Sequence, residues 1–387
     1  MHYRLLLPIL ATAFIEQTVV AIVRVTTSYR AVELGLSVVW LGIITAVYAV
    51  LPMIVGLQIG RFIDRGHDAT TTWIGGVLLI VSCCGFALIS SLPALLVLTA
   101  ITGTAHLMFN ISQQVLCTRC GTGPGAIERA IGNYMVANAL GQGLGPYIVA
   151  WAGGAASVPP VKFLFGVAAA GSIVTFASAL TIRPSGAGKL RSRAGPPPPL
   201  RELLFIPGLT STILVSVVTV VAQDLIVVYL PLLGAARGMT VDAVGTMLAL
   251  RAGCSMLSRL MFARLHARLG RITLTTIATF VAAAAYASLA LPLSLPVMYV
   301  AIAIAGFALS ISITASIAAV LGMASGGAIG TANSLRTMAN RVGQMIIPFL
   351  ASLLAAATGT AGIFVIIGVS LAASGAAFRL DGKRSRR

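Results

Sequence analysis

Charge is what this sequence has least of. Only 9% of its 387 residues are Asp, Glu, Lys or Arg, against roughly 25% in a soluble domain whose surface must be wetted. A chain so poor in charge excludes a water-soluble globule, and most of its surface must face lipid. Acids are scarcer still, nine beside 26 Lys and Arg. Five cysteines give no disulfide framework: Cys83 and Cys84 are adjacent, Cys254 is isolated, and Cys117 and Cys120 form a single CxxC. No second pair or His-x-x-x-His completes a zinc site. No Walker loop, paired-histidine motif or nucleophile elbow occurs, and Gly141-x-Gly143-x-Gly145 lies inside an apolar run, not after a strand. The expectation is a protein with no catalytic site, no metal and no cofactor.

What is present is apolar length. Hydrophobic residues make up 58% of the chain, and a helix needs about 20 of them to cross a hydrocarbon core roughly 30 Å thick. The runs predict twelve spans, at 5–28, 38–60, 70–91, 93–117, 128–152, 161–182, 205–233, 240–262, 272–292, 296–322, 328–357 and 359–379. The first run carries Glu16 and Arg24 and leads straight into further spans, which marks it as a span and not a cleavable signal. The longest polar interval, Arg183 to Glu202, holds Lys189, Arg191, Arg193 and the run Pro196–Pro199. Consecutive prolines keep the backbone extended and unpaired. The expected organisation is an N-terminal six-helix bundle at 1–182, a cytoplasmic linker at 183–204, a C-terminal six-helix bundle at 205–379 and a basic cytoplasmic tail at 380–387.

A net charge of +17 would suggest nucleic acid if the basic residues lined one soluble face. Here they sit in short segments between apolar runs. With the N-terminus inside, 19 of the 26 fall in inner loops and tails and three, Arg30, Lys162 and Arg237, in outer loops. The remaining four, Arg24, Arg251, Arg336 and Arg341, lie within spans. That bias puts both termini on the cytoplasmic side of a plasma (inner) membrane, with lipid and not nucleic acid as the partner. Trp40, Trp73 and Trp151 fall at span ends, where indole sits well between lipid and water.

The halves repeat. Ala137-Asn138-x-x-Gly141-Gln142-x-x-x-Pro146 recurs 202 residues later as Ala339-Asn340-x-x-Gly343-Gln344-x-x-x-Pro348. At a similar offset, Gly60-Arg61-Phe62-Ile63-Asp64-Arg65 faces Ala263-Arg264-Leu265-His266-Ala267-Arg268. Duplicated units around a midplane site are how many secondary transporters are built.

Gly60-x-x-x-Asp64-Arg65 resembles the signature between helices two and three of the major facilitator superfamily, although Gly66-His67-Asp68 departs from its basic end. The resemblance implies an all-α fold of two pseudo-symmetric six-helix bundles, with Asp64 at a cytoplasmic gate. In the fifth span Gly132, Gly141, Gly145 and Pro146 match the spacing of a helix-five signature in that superfamily's drug/proton antiporters. Its closing glycine pair is Val149-Ala150 here, and an arginine expected in the fourth span is Thr99. The resemblance implies small-residue helix packing and a proline bend at this gate.

Ionisable groups at bilayer depth are costly and usually line a cavity or ion path. At 100° per residue, Thr99, Thr102, His106, Asn110, Gln113 and Cys117 share about 80° of the fourth span. Asn333, Arg336, Thr337, Asn340 and Gln344 form a similar stripe in the eleventh, with Arg341 on its shoulder. Thr12, Glu16 and Thr27 share a face of the first span, and Arg251, Ser255 and Ser258 align in the eighth. Asp224 lies off the polar face of its own span and is a possible partner of Arg251. Glu16, Asp224 and His106 are therefore the proton-coupling candidates, Glu16 first. Arg24, Asn110, Gln113, Asn138, Arg251, Arg336, Asn340 and Arg341 are the substrate-binding candidates. The structural alternative for each is a helix–helix hydrogen bond or ion pair.

Four arginines against two acids suit a carboxylated or zwitterionic cargo, such as a siderophore-like metabolite or an anionic drug. The expectation is a monomeric secondary transporter that exports it in exchange for protons. Uptake of an organic anion, or a non-transporting sensor of the same fold, are the alternatives.

Overall fold

The computed structural model describes residues 3–64, 66–120, 126–182, 208–323 and 329–384. Twelve helices form among them: α1 (Tyr3–Glu33), α2 (Val38–Asp64), α3 (Asp68–Leu88), α4 (Leu92–Arg119), α5 (Ala126–Gly153), α6 (Val161–Leu180), α7 (Leu209–Ala236), α8 (Val241–Leu269), α9 (Arg271–Ser288), α10 (Leu295–Met323), α11 (Ile329–Thr358) and α12 (Thr360–Arg384). Each coincides with a predicted span to within several residues. The ninth ends early, because Leu289, Ala290 and Leu291 turn off the helix through hydrogen bonds to the residues three before them. The interval from Arg183 to Glu202 lies outside the described residues.

Eight helices, α1 to α4, α6, α7, α10 and α12, are long and apolar enough to cross a membrane. In lipid every backbone polar group must be satisfied within its own segment, which a helix does. Large apolar side chains point outward, among them Leu88 at 83% and Leu7 at 70% exposure. That surface suits hydrocarbon, and the chain is a multi-pass membrane protein. Trp151 is also exposed, and the half-buried Trp73 donates its indole N–H to the Ala179 carbonyl at 2.9 Å, tying α3 to α6.

The chain divides into two compact units. Unit 1 takes Met1–Leu36, Ile43–Ser192 and Gly234–Ala249; unit 2 takes Ser37–Gly42, Arg193–Leu233 and Leu250–Arg387. In unit 1, Leu6, Ile9, Leu116, Tyr134 and Ala137 knit α1, α4 and α5 into one apolar cluster. In unit 2, Leu274, Ala278 and Ile311 join α9 to α10.

The two units repeat each other's packing well beyond the motif legible in sequence. A Cβ on Gly103 of α4 would strike the Tyr48 carbonyl of α2, and one on Gly306 of α10 would meet the Arg251 carbonyl of α8. Both partners and both glycines are 203 positions apart. Gly42 packs on the Pro348 carbonyl and Ser352 in unit 2, while Gly245 packs on the Pro146 carbonyl and Ala150 in unit 1. The turns repeat too. Gly35 and Gly238 adopt φ of 63° and 66° after α1 and α7, a left-handed conformation that a side chain would strain.

Candidate functional site

Unit 1 gathers the predicted proton-coupling residues of α1 and α4. Glu16 is only 1% exposed, and its Oε1 lies 2.8 Å from Nδ1 of His106. The other ring nitrogen, Nε2, stands 2.9 Å from the Asn110 amide nitrogen. That amide nitrogen also donates to the His106 backbone carbonyl at 3.3 Å. Across the helix interface, the Tyr134 hydroxyl of α5 donates to Asn110 Oδ1 at 3.1 Å. Four side chains from three helices therefore form one continuous run of hydrogen bonds.

Glycines set the spacing of these helices. Gly103 brings α4 onto α2 just before His106. Gly141 and Gly145 seat α5 on α1, where added Cβ atoms would meet the Phe14 and Thr18 carbonyls at 2.5 and 2.8 Å. Gly132 and Gly60 behave differently from the expectation of close approach, for no described atom lies within 4 Å of a Cβ built on either. The Arg24 guanidinium rests 5.0 Å over the Tyr48 ring, which in turn lies 6.2 Å from the His106 ring. An aromatic face stabilises a cation there electrostatically.

Not every member of the α4 stripe faces a functional group. Thr99 and Thr102 bond to carbonyls of their own helix, those of Leu95 and Leu98. Cys117 is buried in the apolar cluster. Gln113 is fully buried, and neither end of its amide has a hydrogen-bond partner among the described residues.

Unit 2 is the basic one. Arg251 and Arg336 are 3% and 9% exposed. Arg336 donates to the Ser216 hydroxyl of α7 at 3.1 Å. Gln344 accepts from Arg341 at 3.1 Å and donates to the Asp224 carboxylate at 2.5 Å. Asp224 thus takes an amide from α11 as a partner. Arg259, which the charge count assigns to an inner loop, lies within α8 and donates to Ser310 of α10 at 3.2 Å. Ser310 passes the contact on to the Ser255 carbonyl. Thr337, placed on the α11 stripe, is exposed; the Asn333 side chain lies outside the described residues.

The repeated Asn138 and Asn340 share one property. Each is 8% exposed, and each has a side-chain carbonyl oxygen with no hydrogen-bond partner among the described residues. At the motif loop, Asp64 is the last residue of α2, and its side chain and Arg65 lie outside the described residues. Asp68 is fully buried in the first turn of α3, accepting from the Ala69 amide at 2.7 Å. There the helix dipole favours an anion.

Sequence reasoning missed Tyr134, Tyr48, Arg259 and Ser216 as partners in these networks. Periodicity can place a side chain on a face of its own helix, but only the packing reveals what that face touches.

The family model described as Major Facilitator Superfamily matches residues 9–295 and 212–387. No curated protein sequence matches significantly. Among solved structures, a mutant of the nucleoside transporter NupG superposes with TM-score 0.82 at 13% identity, covering 97% of this chain and 99% of that one. A bacterial homologue of the human lysosomal transporter Spinster, inward-facing and occupied, gives 0.76 at 17% identity, covering 98% and 96%. A D-xylose–proton symporter gives 0.78 at 14% identity, covering 97% of each. Likeness at these identities establishes the fold.

Proposed function

The chain belongs to the major facilitator superfamily, a family of transporters and not enzymes, and we propose that within it this secondary transporter exports a carboxylated or zwitterionic small molecule in exchange for protons. The observation that carries the coupling is the Glu16–His106 contact at 2.8 Å, two proton-exchanging groups held together away from solvent. Ionisable side chains kept at such depth are the ordinary parts of proton relays. The charge preference is supported by unit 2, whose interior holds Arg251, Arg259, Arg336 and Arg341 against one described interior acid, Asp224. Guanidinium groups hold carboxylates through paired hydrogen bonds. Export is supported by Gly141 and Gly145, which match the antiporter spacing and seat α5 on α1. Asp64, Arg65, Gly60 and Pro146 belong to the proposed gating segments.

A second reading, proton-coupled uptake, is favoured by Thr99, which stands where the antiporter pattern has an arginine and bonds only within its own helix among the hydrogen bonds described.

The test is flux in proteoliposomes under an imposed pH gradient, with carboxylated, zwitterionic and cationic compounds and in both directions. Accumulation of carboxylated compounds against their gradient, driven by counterflowing protons, is expected. Accumulation with protons moving the same way establishes uptake, and binding without flux establishes a sensor.

A further inference from the structure

Within unit 1 the start of α8 lies against the end of α5. We infer that the loop at 154–160, between α5 and α6, is a catch: it fastens the first turn of α8 by two main-chain hydrogen bonds and keeps these helix ends together until both bonds break. The inference goes beyond proton-coupled export and draws only on membership of a transporter family.

The first amides of a helix have no acceptor within it, because the carbonyls four residues earlier lie outside the helix. In α8 the first three find acceptors elsewhere. Val241, the first helical residue, donates to the Ala156 carbonyl at 2.8 Å, and Asp242 donates to the Gly154 carbonyl at 3.0 Å. Ala243 closes on the Thr240 hydroxyl at 3.2 Å, as a capping side chain allows. The loop is shaped to receive them. Gly154 follows α5 with φ of 50°, which glycine adopts without strain, and its amide returns to the Ala150 carbonyl at 2.8 Å. The Ala156 amide returns to the Gly153 carbonyl at 3.0 Å. The carbonyls of Gly154 and Ala156 are left to α8, whose N-terminal dipole attracts them.

Packing brings the helix ends close enough for these bonds. Gly153 faces the fully buried Val241 side chain, and Gly245, one turn further along α8, seats on the Pro146 carbonyl. A Cβ at either glycine would push α8 away from α5. The internal repeat copies the packing and not the loop. Gly42 seats the start of α2 on the Pro348 carbonyl in the same manner, but α11 and α12 are joined by Gly359 alone. Of two seams that packing makes alike, the loop thus adds main-chain bonds to one. Helix ends part and close again during alternating access, and two bonds broken together make the α5–α8 end the slower to part.

Hydrogen exchange of the full-length protein in detergent, read at single amides by electron-transfer fragmentation, tests the catch without any cargo. The Val241 and Asp242 amides should be protected and exchange together, whereas unfastened amides at a helix start exchange freely. Val241→Pro removes one bond while leaving the helix start intact, since proline suits the first helical position, whose N–H the helix does not use. It should speed exchange at Asp242 roughly two- to tenfold. Val241→Ala keeps the N–H and only shortens the side chain against Gly153, so its effect should be much smaller. Free exchange at Val241 and Asp242 in the wild type would overturn the catch whether or not the proline variant folds, and so would equal acceleration at Asp242 by proline and alanine. Failure of the proton-coupled reading shows up elsewhere, as flux indifferent to the pH gradient while the two amides stay protected.

Discussion

Gln344 stands beside Asp224 with its amide nitrogen turned to the carboxylate at 2.5 Å and its amide oxygen turned to Arg341. One neutral side chain on α11 so serves an anion on α7 and a cation one turn back on its own helix. Replacing it by leucine leaves a partly buried carboxylate without that donor, at a cost of about 1–3 kcal/mol. Gln344→Leu should lower the detergent melting temperature by several degrees, and pairing it with Asp224→Leu should recover much of the loss. A double variant no more stable than Gln344→Leu alone would separate the two residues energetically.

Glu16→Gln keeps the shape of the side chain and removes its ability to exchange a proton. Gradient-driven accumulation should vanish while the protein remains folded and still exchanges cargo across the membrane. If the variant concentrates cargo against its gradient, the coupling acid is elsewhere, and Asp224 is the next to test.

Arg336→Ala removes a buried guanidinium that bridges α11 to Ser216. Losing a charge-assisted contact to a carboxylate costs about 1.5–3 kcal/mol, or roughly ten- to a hundredfold in affinity. Carboxylated cargo should weaken by that factor, Arg336→Lys should recover only part, and an esterified analogue should change much less. Equal loss for acid and ester would assign Arg336 a purely structural role.

The close approaches at Gly103 and Gly306 predict paired effects. A methyl group at either position meets a backbone carbonyl, that of Tyr48 or Arg251, which cannot rotate aside. Overpacking of this kind costs about 1–3 kcal/mol. Both alanine variants should melt at lower temperature, while Gly132→Ala, facing open space, should be neutral or slightly stabilising through helix propensity. Equal behaviour of all three would remove the packing argument.

The helices were legible because lipid imposes one rule on every span: about 20 apolar residues and no unsatisfied backbone. Periodicity also sorted polar residues onto faces, and three of the residues it singled out, Glu16, His106 and Asn110, lie in contact. It could not say which faces meet. The stripes of α1 and α4 carry no mark of complementarity, and Tyr134 reads as one more aromatic in an apolar run. Trp73 is a further case, since its place at a span end carries no sign that its indole serves the Ala179 carbonyl.

The sequence by itself determined that this is a twelve-helix membrane protein built on a repeat, because hydrophobic length and a 202-residue echo are properties of the chain taken one segment at a time. Only the tertiary structure decided which ionisable groups are partners: Glu16 with His106, Gln344 with Asp224, Arg259 with Ser310. Each of those contacts joins different helices, and a close glycine approach spaces two of the three pairs, Gly343 against Val217 and Gly306 against Arg251. A hydrogen bond requires placement to within a few tenths of an ångström, which no pattern along a single helix specifies.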